Sequence, residues 1–247
     1  SQYGLVGFLQ LTKANLFGLG IRVSAEWEIG SSRNSKQIDY FDPWFWDSPI
    51  SLGIGYWDTQ RDLLRSYSEK ATGVSTEFGY RFWDNWRATL GYKFEVSQVK
   101  VSSAAAYDPP LHTSSPSLSL SYDTRDNIFD PYRGWSHRLV GQVSGGPLPE
   151  FDVLGGDTKF YKVIYDASDF ELSPVRVLPF IKAPSLALHS RFGRSWGFGG
   201  QEVPITERFF LGGTDSIRGY GERELSGSLT ATGGGVVMWQ FNAEMKW

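Results

Sequence analysis

The sequence predicts an all-β protein whose strands form the wall of one antiparallel transmembrane β-barrel. Three observations carry that prediction. Segment after segment alternates with a period of two, and the polar face is too charged for a protein core but suits a water-filled lumen. Several segments exceed the roughly five or six residues of a soluble strand and reach the roughly nine to eleven that cross a bilayer at a tilt. Aromatic residues make up 16% of the chain, with ten Trp, an excess that girdles at two membrane interfaces would explain.

In chain order, a strand near 3–13 turns through Asn15, Gly18 and Gly20 into the segment 21–29. There Ile21, Val23, Ala25, Trp27 and Ile29 share one face, and Arg22, Ser24, Glu26 and Glu28 the other. Strands near 36–42 and 49–60 flank a turn holding Trp44, Phe45 and Trp46; three rings there suit a membrane interface better than water. Strands near 67–83 and 86–103 join through Asp84-Asn85. Val74, Thr76, Phe78, Tyr80 and Phe82 oppose Ser75, Glu77 and Arg81; Leu90, Tyr92, Phe94 and Val96 oppose Lys93 and Glu95. Residues 103–116 read as a long loop. Short connections at 14–20, 43–48 and 83–86 are expected on one side of the membrane, and longer polar ones at 30–36, 60–67 and 103–116 on the other.

A strand ending Leu118, Ser119, Leu120, Ser121, Tyr122 then enters a turn, 123–134, built from Asp123, Arg125, Asp126, Asn127, Pro131, Arg133 and Gly134. Its Asp, Asn, Pro and Gly each have a turn-making reason, and its two Arg can pair with Asp123, Asp126 or Asp130. Strands near 135–145, 157–170 and 180–194 follow, with a turn at Pro174 and Pro179. A last strand sets Val237, Trp239, Phe241, Ala243, Met245 and Trp247 against Met238, Gln240, Asn242, Glu244 and Lys246. The total is about eleven strands, in one domain spanning 1–247.

Between the last two strands lies Phe209-Phe210-Leu211-Gly212-Gly213-Thr214-Asp215-Ser216-Ile217-Arg218-Gly219-Tyr220. It is too glycine-rich for a strand interior and too apolar for an ordinary solvated loop. Gly212, Gly213 and Gly219 let it fold back on itself. Arg218, flanked by apolar residues, is expected to point inward, where a guanidinium needs a carboxylate.

This loop, with its Ile217-Arg218-Gly219-Tyr220 core, resembles the inward-folded loop of the outer-membrane assembly barrels, the family of BamA, TamA and the two-partner secretion transporters. The 123–134 turn resembles a periplasmic turn of the same family. The resemblance implies barrels of about sixteen strands, so the chain reads as an incomplete part of one. Periplasmic POTRA domains precede the barrel in the family's assembly factors and are not found in these residues. It follows that segments near 4–12 and 236–246 are expected to be edges not paired to each other. The resemblance further implies Glu244 as the carboxylate that meets Arg218, with Tyr220 packed on the inner wall.

The implied function is insertion of β-barrel proteins into the outer membrane of a Gram-negative bacterium. It is non-enzymatic and works by offering strand edges to a client and thinning the bilayer. Implied partners are nascent barrel proteins, accessory lipoproteins, periplasmic chaperones and the lipid bilayer. Alternatives are a translocation channel of the same family, a passive porin and a soluble β-sandwich.

Other chemistry finds little footing. Net charge is −3, without the basic field that nucleic acid demands. Cysteine is absent, which excludes disulfides and thiol chemistry. The N-terminus lacks the charged-then-apolar pattern of a signal peptide, and no run of about 18 apolar residues occurs. Mean hydropathy is −0.30, but alternating strands average toward zero and hide from that test. Gly193-Arg194-Ser195-Trp196-Gly197 matches a nucleophile elbow, yet His112, His137 and His189 all precede Ser195, against the order such enzymes use. The histidines are scattered, so no metal or other cofactor site is expected.

Overall fold

The computed structural model describes residues 6–246 apart from 32, 64–66, 102–106, 146–154, 173–184, 214–215, 222 and 226–232. The strands are β1 Val6–Leu16, β2 Ile21–Gly30, β3 Arg33–Asp42, β4 Ile50–Leu63, β5 Tyr67–Trp83 and β6 Trp86–Val101. They continue as β7 Leu111–Asp123, β8 Gly134–Ser144, β9 Phe160–Leu172, β10 Ser185–Gly197 and β11 Val237–Lys246. All eleven form one antiparallel sheet in which each strand pairs with its neighbours in sequence. Among the described residues, β1 is paired only to β2 and β11 only to β10. The sheet is therefore an open wall, and its two end strands do not meet. The turn foreseen at Pro174 and Pro179 lies outside the described residues.

Side chains sort by face as the alternation requires. The cross-strand row Leu52, Phe78, Leu90, Leu118 is apolar, and Leu90, Leu118, Trp239 and Phe241 are exposed. On the opposite face, Ser119, Met238 and Gln240 are buried. Among the described residues few large apolar side chains are buried: Ile21, Leu52, Phe160, Val203, Phe209 and Met238, with the small Ala71. A two-layer sandwich would hide its large apolar side chains in a dry core. This sheet presents them outward instead, as a lipid-facing wall does. Ile21, at the start of its strand, departs from the outward pattern that Trp27 and Ile29 follow.

Three expected loops shrink. β3 begins at Arg33 and β4 runs to Leu63, so the connections there span only 31–32 and 64–66. Residues 111–116, read as loop, open β7. At 111–116 the sequence looks like loop because Thr113, Ser114 and Ser115 are buried polar residues bonded by Gln142, Ser144 and Thr158; at the other two the strands outrun the apolar band. Beyond it the outward row becomes Lys36, Asp58 and Thr72, with a contact from Lys36 to Asp58 at 4.0 Å and a Thr72–Asp58 hydrogen bond of 3.0 Å. Both faces are then polar, and alternation vanishes from the sequence although the ladder continues. Pro116 is tolerated because the β8 ladder along that flank starts only at Ser117, so fewer partners need its missing N–H. Loop length alone therefore does not separate the two ends of the wall.

Leu90 and Thr89 are neighbours on opposite faces of β6, and Leu90 is exposed. Leu90→Lys is expected to destabilise the bilayer-inserted protein by about 2–4 kcal/mol if it lies near the midplane. Thr89→Lys should cost distinctly less. Urea titrations in lipid vesicles measure both, and equal costs would contradict a lipid-facing outer surface.

Candidate functional site

The segment between β10 and β11 turns onto the inner face. After Gly197 the chain makes a tight turn, then a short 3-10 turn at Ile205–Glu207. Phe209 exchanges two backbone hydrogen bonds with Gly235, both 2.8 Å, and Leu211 two with Leu225, at 3.2 and 3.0 Å. These pairs close the loop's base. Phe209 is buried against Gly193 of β10, where an added Cβ would come within 2.6 Å of the ring. The strand thus lacks a side chain where the loop comes closest. This is also the structural context of the Gly193–Gly197 motif: it lies within β10, and no α-helix follows it among the described residues.

The tip is held by polar contacts. Gly212 has φ of 109°, and a Cβ there would stand 2.3 Å from the Gly221 carbonyl, so glycine is needed both for conformation and for space. Gly212 N–H donates to Ser216 Oγ at 2.8 Å, and Gly213 N–H to the Tyr220 carbonyl at 3.0 Å. The Ser216 carbonyl accepts from Gln240 Nε2 (3.0 Å) and Asn242 Nδ2 (3.3 Å) of β11. Arg218 Nη2 lies 2.9 Å from Glu244 Oε1. Their side chains are 77% and 45% exposed, so the pair is not desolvated as the sequence suggested. Exposed pairs contribute only about 0.2–1 kcal/mol. Tyr220, expected to be packed on the inner wall, is 49% exposed. Ile217 and Gly213 are half-buried, while Thr214 and Asp215 lie outside the described residues.

Stronger anchors lie elsewhere, on residues the sequence did not single out as a site. Glu207 is buried, with Lys93 Nζ 2.6 Å from one carboxylate oxygen and Lys162 Nζ 3.0 Å from the other. Burial pushes its carboxyl up, but the two ammonium groups outweigh burial and hold it below the ordinary glutamate value. Arg223 Nη1 reaches Glu69 of β5 at 3.2 Å and stacks over Phe210 at 4.6 Å. The signal for Glu207 was slight: one carboxylate just ahead of an aromatic pair.

At the other end of the wall, the 123–134 turn is knit locally. Arg125 forks onto Asp123, with Nε–Oδ1 at 3.0 Å and Nη2–Oδ2 at 2.6 Å. Asp126 does not take an arginine, as had been expected to be possible. Its Oδ1 accepts backbone N–H from Asn127, Tyr132 and Arg133 at 2.9, 3.0 and 3.2 Å, and those amides, Tyr132's foremost, hold its carboxyl low. Asn127 Oδ1 accepts from Phe129 N–H at 2.9 Å. Pro131 is buried, and Gly134, at φ of 102°, leaves room for the Thr124 carbonyl.

Gly193→Val should expel Phe209 and loosen the docked loop, by about 1–3 kcal/mol for overpacking of this kind. Limited proteolysis read by mass spectrometry should then cut faster within 198–236. Unchanged cleavage there would mean that the loop does not rest on β10.

A family model described as the Omp85 superfamily domain matches residues 15–247. The outer membrane protein assembly factor BamA of Nitratidesulfovibrio vulgaris is 26% identical over 257 residues, covering 100% of this chain and 30% of that protein. The sorting and assembly machinery component 50 homolog of Mus musculus is 27% identical over 228 residues, covering 86% of this chain and 44% of that protein. This chain thus spans less than half the length of either relative. Among solved structures, BamA from Haemophilus ducreyi lacking POTRA domains 1–3 superposes with a TM-score of 0.77 at 19% identity, over 98% of this chain and 50% of that one. The open eleven-stranded wall is therefore the fold of a BamA barrel segment, and the chain belongs to the Omp85 superfamily.

Proposed function

We propose that this chain is barrel wall from an assembly factor that folds and inserts β-barrel proteins into the outer membrane of a Gram-negative bacterium. The observation that carries the reading is the loop on the inner face, with Arg218 on Glu244, in a chain whose relatives include a protein named as an assembly factor. A passive porin needs an open lumen, whereas here Phe209, Ser216 and Arg218 of the loop lie against the wall.

The mechanism is physical. Unpaired N–H and C=O groups on a strand edge template the next strand, so a client segment adds by β-augmentation. The bilayer solvates no free backbone group, so an incoming strand must pair as it inserts. The loop's part is to brace the inner face of β10 and β11 through Phe209 and Ser216, which keeps that region ordered while an edge exchanges partners. The 123–134 turn, with Arg125 on Asp123, fixes the hairpin from β7 to β8. Nascent barrel proteins are the clients; accessory lipoproteins and periplasmic chaperones deliver them.

In cells depending on the full-length protein, Arg218→Ala should slow the assembly of newly made barrel proteins several-fold. Arg194→Ala, on the outer face of β10, should leave assembly near the parental rate. Pulse-labelling followed by the heat-modifiable gel shift of a trimeric porin reads the rate. Loss of secretion of a soluble passenger with normal porin assembly would instead favour a translocation channel.

A further inference from the structure

The loop motif draws attention to Arg218, but that pair is largely in water. Glu207 is the opposite case: its side chain is 5% exposed and both carboxylate oxygens are taken by ammonium groups. Those lysines come from β6 and β9, with β7 and β8 between them. Three strand spacings amount to about 14 Å along a flat sheet. Bonding one carboxylate brings the two ammonium nitrogens to within about 8 Å of each other. Glu207 therefore ties β6 to β9 across the inner face of the wall, over the two strands between them. Buried Val203 and Phe209 flank it in sequence, and buried Phe160 opens β9 two residues before Lys162.

We propose that Glu207 is the positioning residue of the inward-folded loop: bonded at once to Lys93 and Lys162, it docks the loop's base and ties β6 to β9. The Arg218 tip is the adjustable end, and its pairing with Glu244 can change without releasing the base. Removing one member of a buried, hydrogen-bonded ion cluster leaves the others desolvated and uncompensated, so the base depends on all three charges. This rests on the contacts of the loop and not on the assembly reading; a docking measurement tests it whatever the protein's activity.

The groups facing this cluster are Lys93 and Glu95 from β6, Glu69 from β5 with Arg223 upon it, and Lys162 from β9. Arg208, next in sequence, is turned to Glu202 and the Val203 carbonyl. Because Glu207 titrates below its ordinary value when docked, its contribution is complete above the unfolded carboxylate pKa. It is lost as pH falls through the lower, docked one. Docking should therefore weaken on acidification and not on alkalinisation through neutrality.

The test uses the full-length protein in a cysteine-free background carrying Val203→Cys, reconstituted in phosphatidylcholine vesicles. Maleimide labelling rates are normalised to the urea-unfolded protein at each pH. Val203 is 4% exposed, so labelling reports undocking. Glu207→Gln should raise the rate about tenfold or more, Glu207→Asp by a smaller factor, and Arg218→Ala by less than about twofold. In the Glu207 parent the rate should climb at acid pH, while Glu207→Gln should be flat across the same range. A Glu207→Gln rate within about twofold of the parent overturns the proposal. So does a pH response that persists in Glu207→Gln, which would belong to Glu69 or Glu95. Should Glu207→Gln fail to insert, Glu207→Asp decides: unchanged labelling overturns the proposal.

Discussion

Everything in this molecule depends on an uninterrupted lateral ladder. A globular domain is held by what lies between its layers, but here the described residues form a single layer, and the apolar side chains that a core would claim face outward. Cohesion must then come from strand to strand, through ten successive antiparallel pairings. In hydrocarbon this is obligatory, since no solvent satisfies a backbone group that lacks a partner. The ladder explains why strands of up to 17 residues occur, and why turns such as 123–134 spend their side chains on their own backbone.

The ladder sets the wall but not what lies on it. On the inner face buried charge and buried rings meet, and the loop from β10 to β11 brings both. Phe209 enters the gap left by Gly193, while Glu207 and Arg223 reach charged residues on strands distant in sequence. Apolar contact and ion pairing act at neighbouring positions of one loop, so its base is anchored in two ways at once.

Much of the fold was legible in the sequence, because lipid on one side and water on the other print a period of two. β2, β5, β6 and β11 could be read almost to their ends. Legibility failed where the residues on both faces became polar: at Arg33–Lys36, at Gln60–Leu63 and at Leu111–Pro116, ladder continues through residues that resemble loop. The pairing of Arg218 with Glu244 came from resemblance, and its exposure did not. The partners of Glu207 could not be read, since they lie 114 and 45 positions away. A charge on a loop carries no periodicity to say which inner-facing lysine it will find.

The outer face of β6 also measures something. From Trp86 to Val96 its outward residues are Trp, Ala, Leu, Tyr, Phe and Val, and beyond them comes Gln98. Ten residues of antiparallel strand are about 34 Å long. At the tilt of about 35–45° usual for membrane barrels, they rise about 24–28 Å along the membrane normal. That height is less than the roughly 30 Å of an average hydrocarbon core. A thicker bilayer would have to compress around this part of the wall or leave Gln98 in oil. The chain thus carries a built-in preference for thin membrane, and a bacterial outer membrane, thinner than the average bilayer, meets it without distortion.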